Sequence, residues 1–118
     1  MSEVKAVRMI LHKESCITCK RMVNEIQRIK KDVEKRDFFE EPLSETELRK
    51  IIKLTGKNPI DLIRKRDKMY KELELETKNY SDKQIIEFML KYPGLIMRPI
   101  IITKDKVHVG KEGLNIQN

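Results

Sequence analysis

Short apolar, β-branched stretches near the two ends of the chain enclose a long region of helical periodicity. Val4 to His12 is short, apolar and partly β-branched, which predicts a strand. From Cys19 to Ile29 the apolar residues recur at three- and four-residue steps, as they do on one face of an amphipathic helix. A second strand with vaguer ends is expected near Asp32 to Phe39. The N-terminal part is therefore predicted to be a β-α-β unit.

Two helices in the middle of the chain begin with the same signal. Ser44 and Glu47 have the spacing of a capping box, and so do Ser81 and Gln84. Apolar residues stand on either side of each pair, at the positions of a hydrophobic staple. These two signals predict that residues 43 to 92 are mostly helical.

The segments between these helices are predicted from glycine, proline and charge. Gly56 is expected to end the first helix, because glycine readily adopts a left-handed conformation. Asn58-Pro59 should start a short helix that runs into Arg64. The stretch from Lys65 to Leu75 is also predicted to be helical, and the helix after Ser81 should stop before Pro93-Gly94.

The C-terminal part is predicted to be a β-hairpin. Arg98 to Thr103 is apolar and β-branched, with Pro99 at its start because proline cannot donate to a central β-ladder. A tight turn at Lys104-Asp105 leads to a partner strand over Lys106 to Val109. The complete pattern predicts an α/β fold in which helices cover a small mixed β-sheet.

Length and composition narrow the class of protein. The 118 residues, of which 39% are hydrophobic, fit a single domain with its own core, so residues 1–118 are expected to form one domain. No apolar run approaches the roughly 20 residues that cross a bilayer. Met9-Ile10-Leu11 is too short for the apolar part of a signal peptide. A cytoplasmic protein with no membrane contact is expected.

The chain is basic, with a formal net charge of +7. Such an excess can attract nucleic acid, anionic lipid or an oxyanion substrate. Acidic residues are interspersed among the basic ones, which favours an ordinary solvated surface. Aromatic residues make up only 5%, too few for a platform on which single strands stack. Direct binding of nucleic acid is therefore not expected.

The two cysteines, Cys16 and Cys19, form a CxxC motif. Three interpretations are open: buried structural thiols, half of a metal site, or a redox pair. A structural zinc site needs four ligands. Besides the two cysteines, the sequence contains only His12 and His108 as candidate ligands, at spacings unlike those of a zinc finger. No metal site is expected.

The local context of the motif favours a redox pair. A strand, a short loop and a CxxC that opens a helix form the arrangement of thioredoxin-like redox proteins. The first helical turn, predicted to contain Cys16, has free backbone N–H groups that lower a thiol pKa and stabilise the thiolate. Cys19, one turn further, is placed to attack a mixed disulfide formed on Cys16.

The chain resembles the arsenate reductase/Spx (ArsC-like) family from about Val7 to Gly110. Besides the CxxC motif, the resemblance depends on a histidine four residues before Cys16 and on four short segments: His12, Glu41-Pro42-Leu43-Ser44, Leu62-Ile63-Arg64-Lys65, Tyr92-Pro93-Gly94-Leu95 and Arg98-Pro99-Ile100-Ile101. It implies a thioredoxin-like (glutaredoxin-like) fold with a helical insertion at about residues 43–92.

The resemblance also implies roles for individual residues. Cys16 matches the cysteine that attacks arsenate, and Arg64 and Arg98 match two of the three arginines that hold the oxyanion. His12 matches a histidine on the approach to the nucleophile. Pro99 matches a proline that is cis in thioredoxin-like proteins and faces the active cysteine, which would bring Arg98 near that cysteine.

The sequence departs from the arsenate reductases at two places. The third arginine has no clear match, because the corresponding stretch is Val109-Gly110-Lys111, and a lysine lacks the guanidinium fork. Cys19 stands where those reductases have a serine, whereas Spx has a CxxC that acts as a disulfide switch. Lys111 is the residue that could substitute for the missing arginine.

Two functions follow from the resemblance. The first is a thiol-dependent oxidoreductase with Cys16 as nucleophile and Cys19 as resolving thiol, acting on a small oxyanion or a glutathione-type disulfide. Its electron donor would be glutathione, glutaredoxin or thioredoxin, with no bound cofactor. The alternative is an Spx-like redox-sensing regulator that binds the RNA polymerase alpha subunit. A monomer is expected in either case.

Overall fold

Four strands form one mixed sheet in a computed structural model that describes residues 7–104 and 106–110. Their order across the sheet is β2-β1-β3-β4. The first two strands are parallel, whereas β3 runs antiparallel to both β1 and β4. In chain order the strands are β1 (Val7–His12), β2 (Glu34–Asp37), β3 (Ile100–Thr103) and β4 (Val107–Val109).

The described residues belong to two units. The sheet unit contains the residues up to Glu41 and from Arg98 onward, and the helical unit is Pro42–Met97. The helical unit thus lies in the sequence between the β-α-β part and the hairpin. Its boundaries are close to those of the helical insertion that the sequence predicts.

The core of the sheet unit lies between the sheet and α1 (Ile17–Ile29). Val23 and Ile26 are three residues apart and therefore share one face of the helix. The partly buried Met22 packs against the same cluster. The buried residues of the cluster come from β1, α1, the position just before β2, and β3: Val7, Ile10, Val23, Ile26, Val33 and Ile101. These include the apolar positions whose spacing predicts the helix.

The helical unit contains three α-helices and two short 3₁₀ helices among the described residues. Both predicted capping boxes are formed: Ser44 Oγ accepts from Glu47 N at 3.1 Å, and Ser81 Oγ accepts from Gln84 N at 3.2 Å. The helices, in chain order, are α2 (Glu45–Thr55), a 3₁₀ helix (Pro59–Leu62), α3 (Lys68–Glu72), α4 (Asp82–Lys91) and a 3₁₀ helix (Pro93–Leu95).

Some predicted boundaries are wrong. The long helix expected over Lys65 to Leu75 is reduced to α3, because the backbone turns at Glu74, which has a positive φ of 55°. Strand β2 is shorter than Asp32 to Phe39, and β3 begins at Ile100 rather than Arg98. The start of the strand predicted from Val4, and Asp105 of the predicted turn, lie outside the described residues.

Candidate thiol site

Cys16 is the residue that caps the N-terminus of α1. Its backbone is extended, with φ −81° and ψ 120°, and its carbonyl accepts the first helical hydrogen bond, from Lys20 N at 2.9 Å. Its own N–H donates to the carbonyl of Lys13 at 2.9 Å. Cys16 therefore stands immediately before the first turn of the helix, not within it as the sequence pattern predicts. Its side chain is partly exposed.

The surroundings of Cys16 favour its thiolate. Partial burial by itself raises the pKa of Cys16, but the backbone N–H and the thiol of Cys19, together with the hydrogen bond and positive charge of Arg98, bring that pKa below its usual value. The Cys16 side chain makes no regular N-cap hydrogen bond. The helix N–H nevertheless acts on the sulfur through its partial positive charge.

The pKa of Cys19 is shifted in the opposite direction. Its side chain is completely buried, and this burial, together with the neighbouring Cys16 thiolate, raises the pKa of Cys19 to about 12. The backbone N–H of Lys13 and the charge of Arg98 act against this shift but do not overcome it. Both cysteines are reduced in the structure. Of the two thiols, Cys16 is therefore the one that ionises first, and Cys19 keeps its proton to higher pH.

Arg98 reaches Cys16 from the loop that precedes β3. The Arg98–Pro99 peptide bond is cis, as the resemblance implies, and Pro99 is fully buried. The Pro99 carbonyl accepts from Gly110 N at 2.8 Å, which ties this loop to the end of β4. The start of β3 therefore fixes the backbone from which Arg98 extends.

Phe39 lies beside the same arginine. Its ring centroid is 5.4 Å from Arg98 Cζ and 4.6 Å from Lys13 Nζ, so two cations approach one aromatic side chain. Lys13 is also the residue whose carbonyl receives the Cys16 N–H. The sequence suggests Phe39 only as an apolar residue of a strand, and no motif indicates that it contacts the site.

His12 lies on a cleft next to the loop of residues 13–15, which leads to Cys16. It is the last residue of β1 and pairs in register with Asp37. The cleft has a volume of about 420 Å³, and its lining includes Glu14, Lys20 and Asn24. The structure thus places His12 next to Asp37, and a role of His12 in substrate binding stays a prediction.

Arg64 belongs to the helical unit. Its backbone N–H donates to Leu95 O at 2.7 Å, and its carbonyl accepts from Asp67 N at 3.1 Å, so its main chain is well anchored there. Its oxyanion-binding role also stays a prediction. Lys111, the residue that could replace the third arginine, lies outside the described residues.

The described residues contain no group of three or more His, Cys, Asp or Glu side chains that could hold a metal ion. Within the same residues, no helix is both long and apolar enough to cross a membrane.

The fold and the site together define a class of protein. A mixed sheet, a helix that begins at a CxxC pair and a cis-proline before β3 define a thioredoxin-like α/β protein. The ArsC family model matches residues 11–118, and the chain belongs to the ArsC family.

Curated relatives in the family have two kinds of names. The chain is 36% identical over 94 residues to an arsenate reductase of Acidiphilium multivorum, a match that covers 80% of this chain and 67% of that protein. It is 30% identical over 96 residues to the global transcriptional regulator Spx of Listeria innocua, which covers 81% of this chain and 73% of the regulator. The family therefore includes both enzymes and regulators.

Solved structures agree on the fold. The arsenate reductase from Vibrio cholerae superposes with a TM-score of 0.81 at 24% identity, covering 88% of this chain and 89% of that one. An arsenate reductase related protein from Brucella melitensis gives a TM-score of 0.70 at 23% identity, covering 88% and 86%. At this identity the matches show the fold alone, and that fold is the thioredoxin-like one predicted from the sequence.

Proposed function

We propose that the protein is a thiol-dependent oxidoreductase in which Cys16 is the nucleophile and Cys19 the resolving thiol. The observation that supports this most directly is the opposite shift of the two thiol pKa values, lowered at Cys16 and raised to about 12 at Cys19. The attacking cysteine has to be a thiolate before substrate binds. The resolving cysteine reacts only after the mixed disulfide has formed, so it can stay protonated until then.

With a disulfide substrate the chemistry is two successive exchanges. The Cys16 thiolate attacks one sulfur of a glutathione-type disulfide, a new S–S bond forms, and the other half leaves as a thiolate. Cys19 then attacks the Cys16 sulfur, passes its proton to the departing thiolate, and leaves an intramolecular Cys16–Cys19 disulfide. Glutathione, glutaredoxin or thioredoxin supplies the two electrons that restore the dithiol.

With arsenate as substrate the same thiols act on arsenic. Cys16 displaces water from the oxyanion and forms an S–As bond, while Arg98, whose guanidinium already contacts Cys16, balances the negative charge. Attack by Cys19 on the Cys16 sulfur breaks the S–As bond, and its electron pair reduces As(V) to As(III). His12 and Arg64 are the further oxyanion-binding residues that we predict.

Single-turnover assays test this proposal. Reduced protein is mixed in turn with arsenate, glutathione disulfide and peroxide, and its thiols are followed by mass analysis. The parent protein should lose both thiols as one intramolecular disulfide. Cys19→Ser should stop at a stable Cys16 adduct, and Cys16→Ser should form none. A parent protein that keeps both free thiols with all three reagents contradicts the proposal.

The second candidate is a redox-sensing regulator of the Spx type. It is favoured by the 30% identity to a protein named as a global transcriptional regulator and by the paired cysteines. In this case the Cys16–Cys19 disulfide would control binding to the RNA polymerase alpha subunit. A pull-down with purified alpha subunit, using dithiol and disulfide forms of the protein, tests it: redox-dependent capture supports the regulator, and equal absence of capture opposes it.

A further inference from the structure

Asp37, the last residue of β2, binds three backbone N–H groups with one carboxylate. Its Oδ2 accepts from Glu14 N at 2.9 Å, across a sequence separation of 23 residues. Its Oδ1 accepts from Phe39 N at 2.8 Å and from Glu40 N at 3.3 Å. One side chain therefore ties the loop before Cys16 to the turn after β2.

The contact between Asp37 and the Glu14 N–H connects Asp37 to the loop residues that contact both thiols. Glu14 follows Lys13, whose carbonyl accepts the Cys16 N–H at 2.9 Å and whose own N–H acts on the Cys19 sulfur. Because Asp37 holds the Glu14 N–H, the Lys13–Glu14 peptide group, whose carbonyl accepts the Cys16 N–H, has a fixed orientation. The loop can then present the two cysteines in a constant geometry.

The other two contacts lead to Arg98. By holding the Phe39 N–H, Asp37 fixes the turn from which the aromatic ring extends. That ring lies 5.4 Å from Arg98 Cζ, and Arg98 in turn donates to Cys16. An arginine side chain has many rotamers, and a fixed aromatic face favours the few that lie against it.

We propose that Asp37 is a positioning residue for the thiol site, acting on Cys16 through the loop at Glu14 and through the contact between Phe39 and Arg98. The consequence for catalysis rests on the function proposed above. The effect on the reactivity of Cys16 does not, because it is a property of the reduced protein alone.

Geometry and charge make opposite predictions for the removal of Asp37. A nearby carboxylate disfavours a thiolate, so the loss of its charge alone would lower the pKa of Cys16. The loss of the three hydrogen bonds would instead loosen the groups that stabilise the thiolate and raise that pKa. The other titratable side chains on the cleft come from β1, the loop before Cys16, α1 and β2: His12, Glu14, Lys20 and Lys35. They are unchanged in the variants below.

The test measures the rate at which iodoacetamide alkylates Cys16 as a function of pH, in folded reduced protein. Asp37→Ala should move the midpoint to higher pH and slow alkylation about three- to tenfold at mildly acidic pH, equivalent to a rise of roughly half to one pKa unit. Asp37→Asn keeps one acceptor oxygen and should show a smaller shift in the same direction. Asp32→Ala, which removes an exposed carboxylate before β2, is the control and should match the parent.

A substitution of Phe39 separates the route through Glu14 from the route through Arg98, and it covers the case in which Asp37→Ala does not fold. Phe39→Leu keeps an apolar side chain but removes the aromatic face, so it should raise the midpoint through Arg98 alone. A merely structural role would lower the melting temperature and leave the midpoint of the folded protein unchanged. Unchanged or lowered midpoints in both Asp37→Asn and Phe39→Leu overturn the inference. If the alkylation midpoints rise as expected but the parent protein turns over no substrate, the inference holds and the proposed function is contradicted.

Discussion

The partly exposed thiol of Cys16 and the buried thiol of Cys19 shift each other's pKa in opposite directions. Burial raises the pKa of Cys19 to about 12, whereas the Cys19 N–H and thiol, together with Arg98, lower the pKa of Cys16. The helix start thus contributes in two ways. It places the two sulfurs one turn apart, and it makes them chemically unequal.

The inequality predicts which thiol reacts first. At about pH 6 to 7, iodoacetamide should label Cys16 and leave Cys19 untouched, because only a thiolate is a good nucleophile and Cys19 is also inaccessible. Peptide mapping by mass spectrometry measures the ratio of the two products. Labelling in denaturant, where both cysteines are exposed, is the control and should give nearly equal rates. Faster labelling of Cys19 in the folded protein would reverse the assignment.

Arg98 should account for a measurable part of the Cys16 thiolate. Arg98→Ala removes a hydrogen bond and a positive charge from the sulfur, so the pKa of Cys16 should rise and alkylation at mildly acidic pH should slow about tenfold. Arg98→Lys retains the charge and should lose less. Arg21→Ala, an exposed arginine on α1, is the matched control and should not change the rate. If Arg98→Ala and Arg21→Ala behave alike, Arg98 does not stabilise the thiolate.

Signals that lie within a few residues of sequence predicted the structure well. Both capping boxes and the glycine that ends α2 at a φ of 72° are local features, and each is present where the sequence predicts it. The length predicted for the helix over Lys65 to Leu75 is wrong because the local signal for its end is missing. That stretch contains apolar residues but no clear stop signal, and a glutamate takes the positive φ that the sequence would assign to glycine.

Contacts between distant segments could not be predicted. Asp37 and Glu14 are 23 residues apart, and their hydrogen bond depends on the register between β1 and β2, which no pattern in either strand specifies. The position of Phe39 against Arg98 depends on the same register. Of the hydrogen bonds to Asp37, the sequence signals only the local one from Phe39, since an aspartate commonly accepts from the N–H two residues later. Arg98 itself was found by family resemblance.

The two capping boxes should contribute to stability independently of the thiols. Ser44→Ala removes the acceptor of the Glu47 N–H and should lower the free energy of unfolding by about 1 kcal/mol. Thr46→Ala, within the first turn of α2 and exposed, removes a hydroxyl without removing the cap and should be neutral or slightly stabilising. Urea denaturation of both variants gives the comparison. Equal stabilities would mean that the box does not hold the helix start.

A side chain at Gly94 should destabilise the protein. A Cβ built on its backbone overlaps the carboxylate of Asp67, and that carboxylate accepts the Met69 N–H at 2.9 Å as the N-cap of α3. Gly94→Ala should therefore displace Asp67, release the cap and cost about 1 to 2 kcal/mol. The double variant Gly94→Ala with Asp67→Ala is informative, because its loss should be smaller than the sum of the two single losses. Strict additivity in thermal denaturation would contradict the contact.

The buried Cys19 thiol should make the reduced protein sensitive to alkaline pH. In the unfolded chain this thiol ionises near its ordinary value of 9.0, whereas in the folded protein it keeps its proton up to about 12. Above the unfolded pKa the unfolded state therefore binds fewer protons than the folded state, and rising pH favours unfolding by at most about 1.4 kcal/mol per pH unit. The pKa of Cys16 is lowered, so its stabilising contribution is complete above the unfolded value and does not offset this loss.

Cys19→Ala isolates this effect, because every other titrating group is common to the two proteins. Between about pH 9 and about pH 11 the free energy of unfolding of the parent, kept reduced, should fall more steeply than that of Cys19→Ala, whatever cavity cost lowers the variant at neutral pH. Cys16→Ala removes the thiolate that helps to raise the pKa of Cys19, so its slope should lie between the two. Parallel slopes for the parent and Cys19→Ala would show that Cys19 ionises in the folded state as easily as in the unfolded chain. The division of roles between the two thiols would then lose its physical basis.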